Sequence, residues 1–260
     1  MAFETLTIET AEKTAVVRLN RPKVHNAFNA EMIGELRRLF SELAADEGVR
    51  RVILTGEGKS FCAGADLKWL GSGRDAPYER HVAETMELSR MFRAIYDLDK
   101  PVIAAVNGAA LGGGMGFLGV SDIVIASEAA VFGLSEVKIG VVPACISPYL
   151  FLRCGGRPRL REYFMSGERF SPKEAKRAGL VDYVARPEAL MEEARAKAAA
   201  LGGAAPRAQG VCKRLFREVP GMTLDQAMRH TAEVLAEIRT GEEARRGIEA
   251  FFGKKEIKWG

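Results

Sequence analysis

Two short glycine-bearing segments and one glutamate carry the chemistry that can be read from this chain. The first segment, Phe61-Cys62-Ala63-Gly64-Ala65-Asp66, follows the apolar run Val52-Ile53-Leu54-Thr55. The second, Ala110-Leu111-Gly112-Gly113-Gly114, follows Val102-Ile103-Ala104-Ala105-Val106-Asn107-Gly108. Small residues where a strand turns into a helix let a ligand approach the backbone and leave N–H groups free to donate. Two such turns can aim two donors at one oxygen, which is what holding an oxyanion requires. Twenty residues beyond Gly116, the stretch Phe132-Gly133-Leu134-Ser135-Glu136 adds a carboxylate in otherwise apolar surroundings. Donors for a carbonyl plus one isolated acid or base describe proton chemistry beside an acyl group.

The elements that must position these residues follow from hydrophobic periodicity. Leu6 to Ile8 and Thr14 to Leu19 predict two strands joined by a turn at Glu12-Lys13. Asn29 is a predicted N-cap, and Met32, Leu36, Leu39, Phe40 and Leu43 recur at helical spacing behind it. A strand over 50–55 follows, then a helix over 78–97 carried by Met86, Met91, Phe92 and Ile95, then a strand over Val102 to Val106. Continuous apolar strands of this kind are buried on both faces. Asp122 to Ala126 and Val131 to Leu134 continue the pattern, which predicts a layered α/β core.

The remainder reads as helical. Ser171-Pro172-Lys173-Glu174 combines a capping box with proline at the first helical position, and Gly179 ends that helix. Leu180 to Ala185 reads as a last strand and Pro187 to Leu201 as a long helix, broken by Gly202-Gly203. Thr223-Leu224-Asp225-Gln226 is a second capping box, with Gly241 as the helix stop. The expected organisation is a core over 1–203 and a helical segment over 204–260.

Several competing functions fail on composition or spacing. The 38 basic and 34 acidic side chains leave a net charge of +4, so no extended nucleic-acid surface is implied. Gly114-Met115-Gly116-Phe117-Leu118-Gly119 satisfies GxGxxG literally, but Asp122 opens the next apolar run too soon for the helix a dinucleotide unit needs. Gly58-Lys59-Ser60 has the tail of a P-loop, yet Ile53 stands at its first glycine position. His25, His81 and His230 show no metal-ligand spacing, and no GxSxG elbow occurs. Cys62, Cys145, Cys154 and Cys212 form no framework and read as reduced thiols of a cytoplasmic protein. The start lacks the pattern of a signal peptide, and no run approaches the ~20 apolar residues of a membrane span. No membrane association is expected.

Asn20-Arg21-Pro22-Lys23 with Asn26-Ala27, Phe61 to Asp66, Asn107 to Gly114 and Phe132 to Gly140, in that order, together resemble the enoyl-CoA hydratase/isomerase (crotonase) family. The resemblance implies a spiral of ββα units with a C-terminal helical segment, assembled as a trimer or a dimer of trimers. It implies that the N–H groups of Ala65 and Gly113 hold a thioester oxygen and that Glu136 is the acid/base. For the acyl-CoA it points to Lys23, Val24, Ala63, Gly64, Asp66, Leu67, Lys68, Gly112 and Pro143, and to Phe251 and Lys254 near the C-terminus, where the pair often reaches a neighbouring subunit's ligand. No cofactor or metal is implied, coenzyme A being part of the substrate. A Clp-like serine protease of related fold would need a serine beside the hole, where Gly112 and Gly114 stand instead.

Gly116 departs from the family's two-glutamate hydratases, whose other catalytic glutamate would stand there. Three explanations are open: Glu136 acts alone in hydration, Glu136 shuttles a proton in isomerisation, or the substrate brings a polar group into the space left at Gly116. A non-catalytic acyl-CoA binding protein is the reading from a different class. Leu134 to Gly140 followed by Pro143-Ala144-Cys145-Ile146-Ser147-Pro148-Tyr149, with Gly64 to Trp69 and glycine at 116, resembles most the bacterial methylglutaconyl-CoA hydratase branch. That branch interconverts 3-methylglutaconyl-CoA and 3-hydroxy-3-methylglutaryl-CoA in leucine breakdown.

Overall fold

A computed structural model describes residues 3–73 and 75–259. The chain opens with an antiparallel hairpin, β1 (Leu6–Ala11) and β2 (Thr14–Leu19), in which Ala11 pairs with Thr14. Glu12 and Lys13 both take positive φ, 48° and 59°, the conformation a two-residue hairpin turn demands. Next come α1 (Ala30–Ala45), β3 (Arg51–Gly56), β4 (Ser60–Cys62), α2 (Leu67–Ser72) and α3 (Tyr78–Asp97). They are followed by β5 (Val102–Val106), β6 (Ala109–Leu111), α4 (Gly116–Val120), β7 (Ile123–Ser127) and β8 (Phe132–Gly133). The chain closes with α5 (Ser147–Cys154), α6 (Pro158–Ser166), β9 (Arg169–Phe170), α7 (Pro172–Arg177), β10 (Tyr183–Ala185), α8 (Leu190–Leu201), α9 (Pro206–Glu218), α10 (Leu224–Arg239) and α11 (Glu242–Phe252).

The strands form two sheets, ordered β1-β2-β3-β5-β7-β10 and β4-β6-β8-β9. Consecutive pairs β3/β4, β5/β6 and β7/β8 each give one strand to each sheet before the chain returns through helices, which is the ββα spiral. The β2–β3, β3–β5 and β5–β7 pairings are parallel, as are β4–β6 and β6–β8 in the smaller sheet, so β4 and β6 end at the same edge, where the glycine turns lie.

Both faces of the larger sheet are covered, which explains the unbroken apolar runs. Val17, Val52, Leu54, Ala104, Val106 and Val124 face the main core beneath α1 and the second half of α3. Their alternates Val16, Ile53, Ile103, Ala105 and Ile125 pack against Leu190, Ala194 and Ala198 of α8. Asn29 caps α1 by accepting from the Met32 N–H, and both capping boxes form.

The structure departs from the sequence expectations in several places. Met86 is exposed, because only the second half of α3, with Met91, Phe92 and Ile95, enters the core. The expected strand over 180–185 shortens to β10, and Pro187–Ala189 form a separate 3-10 turn before α8. Gly241 does follow the end of α10, but it is also the N-cap residue of α11, which periodicity did not predict. Helices α5 and α6, each of nine residues or fewer, were also not predicted, being too short to show a period.

Helix α9 is tied to the core by a buried cation. Lys213 Nζ lies 2.7 Å from Asp122 Oδ2 and donates to Lys100 O at 3.2 Å, while Arg217 reaches Tyr96 O and Asp99. Burial pushes the Lys213 ammonium down, opposed by Asp122. By contrast α10 and α11 bury no residue within the protomer. Replacing Lys213 by methionine strands Asp122 without its cation. Because Asp122 is nearly a third exposed, the expected loss is about 1–3 kcal/mol rather than the full cost of breaking a buried pair. Urea unfolding of Lys213→Met measures it, and the Lys213→Met/Asp122→Asn double variant recovers part of the loss.

Candidate active site

The two turns meet through backbone alone. Gly64 adopts φ +93°, and a Cβ there would lie 2.8 Å from Leu111 O and 3.2 Å from Gly113 N. Phe28 pairs with the segment as a bridge strand: its N–H donates to Gly64 O at 2.9 Å and its carbonyl accepts from Asp66 N–H at 2.9 Å. Successive N–H groups of an extended segment alternate in direction, so the Ala65 N–H points away from Phe28. Gly113 is the second residue of the 3-10 turn Gly112–Met115 that leads into α4, where first-turn N–H groups lack intrahelical acceptors. Among the described residues, neither the Ala65 nor the Gly113 N–H has an acceptor in the chain.

Two asparagines fix these turns. Asn26, fully buried, donates to Glu57 O and Ser60 O and accepts from Arg21 N–H. Asn107 donates to Gly58 O and accepts from Gly56 N–H. Beneath the turns, Phe28, Phe61, Phe92 and Phe117 pack edge to face, with Phe117 contacting the other three at 5.2–6.4 Å between ring centres. Cys62 sits in the same layer with no exposure, its Sγ donating to Asn26 O, and burial pushes its thiol up to about 12.

Glu136 reaches this place from the 3-10 segment Ser135–Ile139. Its carboxylate covers Gly112: a Cβ on that residue, itself at φ +50°, would stand 3.0 Å from Oε1 and 3.4 Å from Oε2. Oε2 is buried without a hydrogen-bond partner, and Glu136 forms no ion pair with Lys138 or any other described residue. Desolvation raises its pKa above the usual carboxylate range, opposed only by its own backbone N–H.

A cavity of about 450 Å³ opens in front of these groups. Ala63, Gly64, Ala65, Leu67, Gly112, Gly113, Glu136 and Pro143, all singled out in the sequence, line it. Lys23, Val24, Asp66 and Lys68 do not. Lys23 and Val24 stand on the exposed turn Pro22–Val24, and Asp66 is the N-cap of α2, paired with Arg21 at 3.0 Å. Burial opposes the Asp66 charge, but the Lys68 N–H and Arg21 outweigh it and its pKa is lowered. Phe251 is 79% exposed on α11, and Lys254 follows it; neither lines the cavity within one protomer.

Gly116 is a correction. It is buried, lines no part of the cavity, and leaves no space for a substrate's polar group. A Cβ there would lie 2.6 Å from Phe92 Cζ and would also strike Ile146 Cγ2.

Sequence reasoning missed the far wall. His81, Glu84, Thr85 and Leu88 of α3 line it together with Cys145, Ile146 and Lys138, and Cys145 Sγ donates to Thr85 O at 3.9 Å. Their spacing of three, four and seven residues was the available signal, obscured because it marks a polar stripe on a helix read for its apolar one. A larger cleft, about 720 Å³, lies elsewhere, between the β1–β2 turn, the end of α8 and residues 256–259. Its Arg51, Arg195 and Lys258 are balanced by Glu9, Glu12 and Glu256, and it shares no residue with the glycine turns.

Two N–H groups without acceptors and a desolvated carboxylate thus line one cavity of about 450 Å³. The chain belongs to the enoyl-CoA hydratase/isomerase family, whose sequence model matches residues 9–260. A relative from Thermus thermophilus is 39% identical over 241 residues, 93% of this chain and 95% of its own. The short-chain-enoyl-CoA hydratase of Clostridium acetobutylicum is 34% identical over 263 residues, covering 99% of this chain and 98% of the relative. The crystal structure of an enoyl-CoA hydratase from Shewanella pealeana superposes with a TM-score of 0.94 at 33% identity, covering 99% of this chain and 96% of that one. The fold is the crotonase fold. Among the described residues, no helix is long and apolar enough to cross a membrane.

A carboxylate held above its normal pKa by burial opposes folding once it ionises. Its stabilising contribution is complete below the unfolded-state pKa and is lost as pH rises through the folded one. Glu136→Gln is therefore expected to melt at a higher temperature than wild type at pH 7, with the difference vanishing near pH 4. Thermal unfolding at both pH values measures this, and equal melting temperatures at pH 7 would contradict the assigned desolvation.

Proposed function

We propose that this protein is a cytoplasmic hydro-lyase that interconverts 3-methylglutaconyl-CoA and 3-hydroxy-3-methylglutaryl-CoA. The observation that carries this reading is the single buried, unpartnered Glu136 oxygen beside the Gly64–Gly113 junction. In the hydration direction, Glu136 takes a proton from water as the water oxygen bonds to the β-carbon. The displaced electron pair moves to the thioester oxygen, held by the N–H groups of Ala65 and Gly113. Glu136 then returns the proton to the α-carbon as the carbonyl re-forms, so one water is added and the carboxylate is regenerated. Each hole donor contributes about 3 kcal/mol of transition-state stabilisation.

A carboxylated acyl chain also needs a partner for its distal charge. Lys138 and His81 on the cavity wall supply the cationic and hydrogen-bonding groups of the right chemistry. A single carboxylate equally suits an enoyl-CoA isomerase, in which Glu136 moves a proton between two carbons without adding water. A panel of straight, branched and carboxylated enoyl-CoA esters in ¹⁸O-labelled water separates the two: label in the product supports hydration, and a shifted double bond without label supports isomerisation. Glu136→Gln is expected to lower kcat at least a hundredfold while CoA-ester binding persists. Unchanged binding with no wild-type turnover of any ester would instead support the non-catalytic acyl-CoA binding protein. Lys138→Ala is expected to raise KM about tenfold for the carboxylated ester and to spare the uncharged ones.

We further propose that the core over 1–203 carries the acyl-CoA site and that 204–260 mediates trimerisation, or a dimer of trimers. Leu224, Met228, Leu235, Ile248, Phe251 and Phe252 are exposed on α10 and α11. Phe251 and Lys254 then serve a neighbouring protomer's CoA, with Lys23, Val24, Asp66 and Lys68 at the outer end of the same ligand. Light scattering is expected to give three or six protomers, and a monomer at micromolar concentration would contradict this.

A further inference from the structure

We propose that Ile146 is a specificity-determining residue: its side chain closes the notch at Gly116 and presents an apolar wall that seats a methyl branch on the β-carbon of the acyl group. This rests on the hydratase reading above.

Gly112, Gly113 and Gly116 are three and four positions apart, so they share one face of the turn and helix that begin at Gly112. A side chain at 116 would begin against Ile146 and Phe92. That volume is instead filled by Ile146, the residue that precedes α5, and by Phe92 of α3. Phe92 lies behind Gly116 and lines no part of the cavity, whereas Ile146 both touches the Gly116 site and lines the cavity. Of the two residues that crowd Gly116, Ile146 is thus the one that presents a surface to the cavity.

Its position is fixed by close helix packing. Gly119, one turn after Gly116, also brings Tyr149 close: a Cβ at 119 would stand 2.9 Å from Tyr149 Cβ. Two glycines three apart on α4 therefore receive two residues three apart at the start of α5. Ile146 is 2% exposed, and its carbonyl accepts the Leu150 N–H at 3.1 Å. A β-branched side chain so placed has little rotamer freedom and makes a rigid wall.

On the hydratase reading the thioester oxygen sits at Gly113 and the α-carbon beside Glu136, so the β-carbon lies within the cavity that Ile146 also lines. An apolar wall there offers no hydrogen bond to an incoming water, which leaves that task to Glu136, and it contacts a β-alkyl group favourably. One methyl group in such a pocket is worth about 10- to 200-fold in kcat/KM.

The test uses 3-hydroxyacyl-CoA esters in the dehydration direction: 3-hydroxybutyryl-CoA and its 3-methyl and 3-ethyl homologues. Wild type is expected to prefer the 3-methyl ester over the unbranched one by about tenfold or more. Ile146→Ala is expected to shift the preference to the 3-ethyl ester by about tenfold, with Ile146→Val intermediate and the pH profile set by Glu136 unchanged. A gain on the larger ester is an outcome that misfolding does not produce. Dehydration of all three esters without preference, or the same preference in wild type and Ile146→Ala, overturns the inference and leaves the hydratase reading intact. No dehydration or hydration of any ester by wild type removes the hydratase reading and this inference with it.

Discussion

No side chain can stand where the two turns meet. A Cβ on Gly64 would fall within 3.2 Å of both Leu111 O and Gly113 N, so the approach of these backbones sets the sequence around them. The rest of the architecture serves that approach. Parallel strands deliver both turns to one sheet edge, and the asparagines 26 and 107 lock the connecting loops by hydrogen bonds to backbone groups. The phenylalanine layer under Gly113 supplies a floor that cannot deform cheaply, since a Cβ there would lie 2.6 Å from the Phe28 ring. Fixed donors cost no reorganisation when charge develops on a bound oxygen.

Against that rigid frame, Glu136 is the strained electrostatic element. A buried carboxylate oxygen without a partner is expensive, and the fold tolerates it only beside the glycine turns. The same desolvation brings its affinity for a proton nearer to what exchange between water and carbon demands. Stability is given up at a residue that lines the same cavity as both glycine turns.

The spiral's strands and long helices were legible because their signals are local. Buried strands are continuous apolar runs, α1 has an apolar stripe behind an asparagine cap, and α7 and α10 begin in capping boxes. The close approach of the two turns was legible because each apolar run ends in small residues, Ala63-Gly64-Ala65 and Gly112-Gly113-Gly114. The far wall of the cavity was not. His81, Ile146 and Lys138 come from separate elements whose meeting depends on tertiary packing, and nothing in their local sequence marks it. Gly116 shows the limit most clearly. Glycine in a sequence suggests vacant space, yet here it reports an intimate contact, because Phe92 and Ile146 have moved into the place a side chain would take.

The thiol of Cys62 sits directly after the first run of the site, in the layer that supports it. Thiolate is the form that attacks alkylating agents, peroxides and disulfides, and burial pushes this thiol up to about 12. The scaffold under the oxygen-binding turns is therefore inert to oxidants that would find the exposed Cys212. Redox stress would mark this protein at its periphery well before it disturbed the geometry on which its chemistry depends.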